Sequence, residues 1–294
     1  MTTATPPDPV FGLPAHAGIG LKPDHYRDVL DHQDASLWVE VHPENYMVDG
    51  GPRLDWLDAI RQNRALSLHG VGASLGSLDP YDQQHINGLR SLIDRYEPEQ
   101  VSEHAAWCSH DGNYYADLLP LPRTDEARQH LINRVTEFQE LIGRQILIEN
   151  PTNYLDFAHE IIEPDFLCDV ARSAGCGVLL DVNNVWISAN NVGLDPHGYI
   201  KALPADLVGE IHIAGHEEDP NLGAAMLIDS HNAPVAEGVW DLLEVALEHL
   251  GPKPVLVERD SNIPAFTELL AERDRAEQAI KTIDPNRPAH ALAS

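Results

Sequence analysis

The sequence is short of the residues that build disulfide-stabilised, nucleic-acid-binding or membrane-spanning proteins. It has 3 cysteines in 294 residues, an odd number without a CxxC spacing, which argues against a disulfide framework and a thiolate zinc site. Lysine occurs at only four positions, and the net charge of -28 disfavours nucleic acid or an anionic membrane as a partner. No apolar run approaches the roughly 18 residues that span a bilayer. The N-terminus lacks the basic and apolar regions of a secretion signal, so we expect a cytoplasmic protein.

The chain does contain enough apolar residues, 43%, to form a full core. Its length fits a single α/β barrel of about 250 residues plus tails. Residues 1–15 are rich in Pro and Thr and are predicted to be a flexible lead-in. Residues 16–283 are predicted to form one catalytic domain, and residues 284–294 a flexible tail.

Short apolar runs alternate with helical segments along the whole domain. The predicted strands are residues 17–21, 36–41, 65–70, 100–105, 145–150, 177–182, 207–215 and 254–259. The predicted helices are residues 22–32, 54–63, 81–96, 125–142, 164–174, 196–203, 235–250 and 265–280. Apolar strands that alternate with amphipathic helices indicate a parallel sheet covered by helices. Eight such units predict a (β/α)8 TIM barrel, with an open doubly wound sheet as the alternative.

Six consecutive predicted strands end on a metal-ligand type of residue: His69, His104, Glu149, Asp181, His212 and Glu258. In a parallel barrel these ends meet at one mouth, which is where TIM-barrel active sites lie. Three buried carboxylates there would repel one another without cations between them. Oxygen and nitrogen ligands without thiolate suit iron, manganese or zinc. We therefore predict a metal centre in which these six residues are catalytic and Glu149 bridges two ions.

Four loop residues on the same rim are predicted to form a third, more exposed metal position: Asn184, His216, Asp229 and His231. The residues around the end of the second strand, Glu40, His42, Glu44 and Asn45, are interpreted as groups that support the ligands or face the substrate. Glu103 should point to the opposite face of its strand from His104, so it is not predicted to be a ligand.

Residue chemistry alone leaves other functions open. One is a divalent-metal hydrolase or isomerase of the endonuclease IV or xylose isomerase kind, which uses similar rims of His, Glu and Asp. The acidic charge opposes a role on DNA, and no lysine can be placed near the metals as sugar isomerases require. The other is a non-catalytic metal-binding or scaffold protein.

An ordered set of motifs adds a resemblance that covers residues 16–280. The motifs are GIGL, EVHPENY, LSLHGVGASLGS, VSEH, ILIENP, LLDVNN, EIHIAGH, DSH and VLVERD. In this combination the chain resembles the multinuclear non-heme iron-dependent oxidative enzymes, the family of the methanobactin-biosynthesis oxidase.

The resemblance implies a xylose-isomerase-like TIM barrel with two or three irons in mixed Fe(II)/Fe(III) states. It implies use of O2 to modify residues, usually cysteines, of a ribosomally made precursor peptide in RiPP or metallophore biosynthesis, with a partner protein that recognises the leader. Carried over by motif, His69, His104 and Glu149 would hold one iron. Glu149, Asp181, His212 and Glu258 would hold the second. The third would be held by Asn184, His216, Asp229 and His231.

Overall fold

Twelve strands form within residues 11–157 and 159–283, which the computed structural model describes. In chain order they are β1 (Ala17–Gly20), β2 (Trp38–Val41), β3 (Leu66–Gly70), β4 (Gln100–His104), β5 (Ala106–His110), β6 (Asn113–Pro120), β7 (Leu147–Glu149), β8 (Gly177–Asp181), β9 (Val208–Ala214), β10 (Glu217–Asp219), β11 (Gly223–Ile228) and β12 (Val255–Glu258). Eight close into a parallel barrel in the order β1-β12-β9-β8-β7-β4-β3-β2. The predicted TIM barrel is confirmed, and the open-sheet alternative is wrong.

Nine α-helices lie in the same described residues and cover the barrel. They are α1 (Tyr26–Asp31), α2 (Pro52–Arg61), α3 (Gln83–Tyr96), α4 (Asp125–Ile142), α5 (Glu163–Ala174), α6 (Val182–Val192), α7 (Pro196–Ala202), α8 (Glu237–Leu250) and α9 (Phe266–Thr282). The bounds of α4 match the prediction because its end signals are strong. Thr124 caps its N-terminus through the Ala127 N–H, and Gly143 ends it at φ 73°. None of these helices is both long and apolar enough to cross a membrane.

Each predicted strand contains one barrel strand, but several other elements differ from the sequence-based expectation. The helix predicted for residues 22–32 begins as a 3-10 turn, Pro23–His25, and becomes α-helical only at Tyr26. Helix α6 was not predicted because its sequence, VNNVWISANNV, is rich in weak helix formers. Residues 106–124, for which neither strand nor helix is predicted, contain a hairpin of β5 and β6, and β10 and β11 form a second hairpin. The dipeptide Asp111-Gly112 is a sequence signal for the turn of the first hairpin. In the structure both residues have positive φ.

The segment before β1 closes the bottom of the barrel. A Cβ at Gly177 would lie 2.6 Å from Phe11 Cε1, and a Cβ at Gly209 would lie 2.5 Å from Phe11 Cδ1. Glycine at both positions therefore makes room for the Phe11 ring, while Leu13 is buried with Trp38. Residues 11–15 of the predicted lead-in thus include two apolar side chains that pack on the barrel, and the boundary between lead-in and domain stays a prediction. Residues 1–10 and the predicted tail, 284–294, lie outside the described residues.

Arg273 and Glu277 of the last helix, α9, bind the first strand by hydrogen bonds, and we call this set of contacts the clasp. The buried guanidinium of Arg273 donates to the Ala17 carbonyl at 2.8 Å and to Asp34 Oδ2 at 2.8 Å. One turn later, Glu277 Oε2 accepts from the Ala17 N–H at 2.8 Å. Because β1 also pairs with β12, these contacts fix the closure of the barrel.

Candidate metal centre

The six predicted strand-end residues come together at the mouth formed by the carboxyl ends of the strands. His69, Glu149, Asp181, His212 and Glu258 are buried, and His104 is partly buried. Parallel pairing puts His104 level with Glu149, and Asp181 level with His212. A cavity of about 530 Å³ opens above them and is also lined by His42, Lys22, Asp260 and Leu118 of β6.

One oxygen of Glu149 is the meeting point of two imidazoles. Glu149 Oε2 lies 3.1 Å from His69 Nε2 and 3.2 Å from His104 Nε2. Despite these short distances, the buried Oε2 has no hydrogen-bond partner among the described residues. Two ligand atoms about 2.1 Å from one ion and at a right angle lie about 3 Å apart. The spacing and orientation of the three atoms therefore fit ligands of one shared ion.

The outer nitrogens of these imidazoles are held by the barrel wall. His104 Nδ1 lies 3.1 Å from the Gly70 carbonyl, which can only accept a hydrogen bond, so this nitrogen carries a proton. His69 Nδ1 lies 2.8 Å from the Ser102 hydroxyl. In neutral histidine a protonated Nδ1 leaves the Nε2 lone pair free to bind a metal. The wall thus orients Nε2 of each ring toward Glu149.

His212 is oriented the other way around. Its Nδ1 lies 3.2 Å from Glu258 Oε2 and takes part in no hydrogen bond. Its Nε2 faces the interior of the barrel and lies 3.4 Å from Glu210 Oε1 and 3.5 Å from Glu40 Oε1. The rings of His212 and His69 are 5.1 Å apart between centroids, so the two halves of the site are adjacent.

Asp181 combines a structural contact with a free ligand atom. Its Oδ1 accepts from the Asn184 N–H at 2.5 Å and caps α6. Its Oδ2 is buried and has no hydrogen-bond partner in the part of the chain that the structure describes. Asp181, His231 and Glu258 bring a ligand atom each within 4.8 Å of one another. This second cluster lies beside the Glu149 cluster.

The four loop residues predicted for a third ion do not form one compact group. His231 Nε2 is 2.8 Å from Asp229 Oδ1, and His231 also faces Glu258, with 3.6 Å between Nδ1 and Oε2. Asn184 instead turns its amide to Glu149, with Nδ2 3.2 Å from Oε1. His216 Nδ1 contacts Asn183 Oδ1 at 2.9 Å, and Asn183 in turn donates to Asp229 at 2.9 Å. His216 is thus linked to Asp229 through Asn183, and the shared role of the four stays a prediction.

Neighbouring charges decide the protonation of the buried acids and histidines. Burial alone would raise the pKa of Glu149, but His104 and His69 outweigh it and lower that pKa to about 2. Burial would lower the pKa of His104, but Glu149 and Glu103 raise it to about 10. Burial, reinforced by Glu149 and Asp229, raises the pKa of Asp181 well above its usual range. The carboxylates therefore require positive charge beside them, which either imidazolium or a metal cation can supply.

The unpartnered atoms test whether the site fits metal ions. Among the predicted ligands, all of which lie in the described part of the chain, four buried atoms have no hydrogen-bond partner there: Glu149 Oε2, Asp181 Oδ2, His212 Nδ1 and His231 Nε2. A buried polar atom without a partner costs about 1–3 kcal/mol. Convergence of four such atoms, two on carboxylates and two on imidazoles, fits cations that accept their lone pairs. The donor set of nitrogen and oxygen suits iron, manganese or zinc.

A deeper layer of polar residues supports the ligands, and sequence reasoning missed part of it. Glu210 is fully buried beneath His212, and burial with the nearby Glu40 raises the pKa of Glu210 to about 8. Ser67 Oγ donates to Glu40 Oε2 at 2.7 Å. The position of Glu210 two residues before His212, on the same strand face, was the signal that could have found it.

Of the residues interpreted as supporting groups, Glu40 belongs to the deeper layer, whereas His42, Glu44 and Asn45 line the cavity at the rim. His42 Nδ1 donates to the His69 carbonyl at 3.1 Å, and its Nε2 is 3.5 Å from Asp260 Oδ1. Asp260 also contacts His231 Nδ1 at 2.8 Å and Lys22 Nζ at 2.5 Å. Lys22 lines the cavity, so the expectation that no lysine lies near the centre is wrong. Glu103 points away from the centre, as predicted, and accepts from the Ala73 N–H at 2.9 Å.

Comparison with protein families adds the decisive observation. Residues 16–281 match the model of a family described as RiPP precursor modification enzyme MbnB/TglH/ChrH, where a RiPP is a ribosomally synthesised and post-translationally modified peptide. The chain belongs to this family. The resemblance stated from the motifs is thereby confirmed, and it places the chain among enzymes that act on RiPP precursors.

Similar chains span nearly the whole sequence. The UPF0276 protein of Caulobacter sp. (strain K31) is 52% identical over 261 residues, which cover 88% of this chain and 94% of that protein. Endonuclease IV from Thermus thermophilus aligns with a TM-score of 0.57 at 15% identity, covering 91% of this chain and 99% of the other. A xylose isomerase-like TIM barrel protein from Mycobacterium smegmatis in complex with magnesium gives a TM-score of 0.56 at 15% identity, covering 91% and 97%. At such low identity the two structures support the fold alone, which is the predicted xylose-isomerase-like barrel.

Proposed function

We propose that the protein is an iron-dependent oxidase that uses O2 to modify a residue, expected to be cysteine, of a ribosomally made precursor peptide. The observation that carries this proposal is the convergence of unpartnered imidazole and carboxylate atoms at the mouth of a barrel whose family modifies RiPP precursors. Endonuclease and sugar isomerase activities are supported by likeness of fold alone, and fold does not determine function.

The contacts support two adjacent metal positions. His69, His104 and Glu149 would hold the first ion, since Glu149 Oε2 lies within 3.2 Å of both Nε2 atoms. Asp181, His212 and Glu258 would hold the second together with Glu149. For the third ion, His231 and Asp229 are the better supported ligands because they are in direct contact, 2.8 Å apart. Asn184 and His216 are further candidates for that position.

Iron bound at this mouth would supply one-electron redox chemistry, with O2 as the oxidant of the peptide. The chain's own contribution is to hold the ligands rigidly on strand ends and to exclude bulk water from them. His42, Asp260 and Lys22 form a connected polar group at the edge of the cavity. They are suitably placed to contact the substrate or to move a proton beside the reacting residue.

The surface around the mouth suits a polypeptide. Nine large hydrophobic side chains are exposed in the described residues, and eight lie in the segments that follow barrel strands: Val48, Leu78, Tyr114, Tyr115, Leu155, Phe157, Ile162 and Leu222. Exposed apolar side chains gathered on one face indicate an interaction surface. This rim is the surface we assign to the precursor peptide and to a partner protein that recognises its leader. Leu118 of β6 lines the cavity at this mouth and adds an apolar side chain beside the proposed ligands.

A reconstitution experiment tests the function. The genes beside that of this protein are searched for a short Cys-containing precursor and a partner protein. Protein loaded anaerobically with Fe(II) is mixed with this candidate peptide and partner, and the peptide mass is followed after O2 is admitted. We expect a change of mass on a cysteine that requires both iron and O2. Zinc-loaded protein and Glu149→Ala should leave the mass unchanged, with less bound iron in Glu149→Ala. The matched control is His249→Ala, on α8 with its Nε2 on the Leu203 carbonyl, which should retain iron and activity. If the peptide mass stays unchanged with the iron-loaded enzyme and the partner protein, the proposal is refuted.

A further inference from the structure

The three histidines on barrel strands do not present the same nitrogen to the centre. His69 and His104 present Nε2 because Ser102 and the Gly70 carbonyl contact their Nδ1 atoms. His212 presents Nδ1, which is 3.2 Å from Glu258 Oε2. Since the partner of one ring nitrogen decides which nitrogen binds the metal, the reversal at His212 requires an acceptor on its Nε2 side.

Two buried carboxylates occupy that side. The Nε2–H of His212 is directed at Glu210 Oε1, 3.4 Å away, and Glu40 Oε1 is at 3.5 Å. Glu40 is also held by Ser67, whose Oγ lies 2.7 Å from its Oε2. Glu210 and His212 are both fully buried and stand two residues apart on the same face of β9, so their relative position is fixed by the strand itself.

We infer that Glu210 is a positioning residue for the metal centre: its carboxyl group accepts from Nε2–H of His212 and so directs the Nδ1 lone pair to the metal beside Glu258. This inference rests on the proposed function in that it requires a metal centre at the mouth. A second hydrogen bond to Glu210 is a long one, from Ser67 Oγ to its Oε2 at 3.5 Å, and a fully buried acid beside a second buried acid is costly in a barrel interior. The contact with His212 Nε2 gives this costly placement a role. The acceptor can be the carboxylate or the carbonyl oxygen of the neutral acid, so an amide oxygen should replace it.

Binding of the metal alone tests the inference. Fe(II) is titrated anaerobically into the metal-free protein and three variants, with a competing chelator to measure affinity. Glu210→Ala and Glu210→Met remove the acceptor, and Met also fills most of the space. Each should weaken one Fe(II) position by about 10- to 100-fold, the usual effect of losing a group that orients a ligand. Glu210→Gln keeps an acceptor oxygen and should bind within about 3-fold of wild type on the same reasoning.

The outcomes separate this inference from the proposed function. If the wild-type protein binds no Fe(II) at the mouth, both the positioning role of Glu210 and the proposed function are refuted. Wild-type binding with equal affinity in Glu210→Ala and Glu210→Met would overturn the positioning role and leave the function intact. Loss of affinity in Glu210→Gln equal to that in Glu210→Met would also overturn it, since charge and not the acceptor would then matter. Thermal unfolding of the metal-free variants provides the structural readout, and a positioning role requires the affinity loss to exceed any difference in metal-free stability.

Discussion

Replacement of Asp181 by asparagine should separate its two contacts. Asn keeps an oxygen that can accept from the Asn184 N–H and cap α6, but it replaces the unpartnered Oδ2 by an amide nitrogen that cannot bind a cation. Burial and the nearby carboxylates Glu149 and Asp229 raise the pKa of Asp181, so the charged form is unfavourable without metal. We therefore expect Asp181→Asn to be at least as stable as wild type when metal-free and less stabilised when metal is added.

The size of the effect follows from linkage. A free metal concentration of 100 times Kd stabilises a protein by about 2.7 kcal/mol, and a 100-fold weaker site would retain about 0.4 kcal/mol of this. With an unfolding entropy of about 2.1 cal/mol/K per residue, the difference corresponds to a Tm shift of about 4 °C for a chain of this length.

Thermal unfolding of both proteins with and without Fe(II), under anaerobic conditions, measures the shift. Asp181→Ala is the matched comparison because it loses the cap as well, and its metal-free form should be less stable by about 1 kcal/mol. If Fe(II) raises the Tm of Asp181→Asn by as much as that of wild type, the assignment of Oδ2 as a metal ligand is refuted.

Two further predictions concern the clasp between the last helix and the first strand. Arg273→Met should lower the free energy of unfolding by about 1–3 kcal/mol in a urea titration, because the Ala17 carbonyl and Asp34 lose the buried guanidinium that donates to them. Arg275→Met, which breaks an exposed pair with Glu237, should cost less than about 1 kcal/mol. Equal losses in the two variants would contradict the view that the clasp stabilises the barrel more than an exposed ion pair does. Burial would raise the pKa of Asp34, but hydrogen bonds from Ser36 and Arg273 outweigh it and lower that pKa; its contribution is therefore present above the unfolded pKa of about 3.9 and is lost as pH falls below it. Asp34→Asn should accordingly lose less stability than wild type between pH 5 and pH 3, and parallel pH profiles would count against this.

The barrel was predictable because hydrophobic pattern, helix capping and helix-ending glycines all indicate the same elements. Each barrel strand is a short apolar run, and helix α4 has a threonine cap, a buried face of Leu131, Val135, Phe138 and Ile142, and a terminal glycine. These signals disagree in α6. Its asparagines have low helix propensity, although Asp181 caps its N-terminus. The hairpins were missed because two-stranded ribbons lie outside the repeating unit, so periodicity gives no information about them.

The site was predictable to the level of which residues meet, since all strand ends of a parallel barrel share one mouth. Sequence could not assign the facing nitrogen of each histidine, because this depends on contacts between different strands, such as Ser102 on His69. It also could not foresee that Asn184 turns to Glu149 while His216 contacts Asn183. Those orientations follow from the helix that begins at residue 182, which the sequence did not predict.

Closure of the barrel by its first and last strands has a consequence for the order of events during synthesis. β1 can pair with its second neighbouring strand only after β12 has been synthesised. The hydrogen bond from Arg273 to the Ala17 carbonyl forms later, because Arg273 follows β12 in the chain. The proposed ligands are distributed from His69 to Glu258, so a nascent chain exposes an incomplete set of acids and imidazoles for most of its translation. The proposed centre would therefore receive its metal after the chain is complete, with the metal-free barrel as the form that binds the ion.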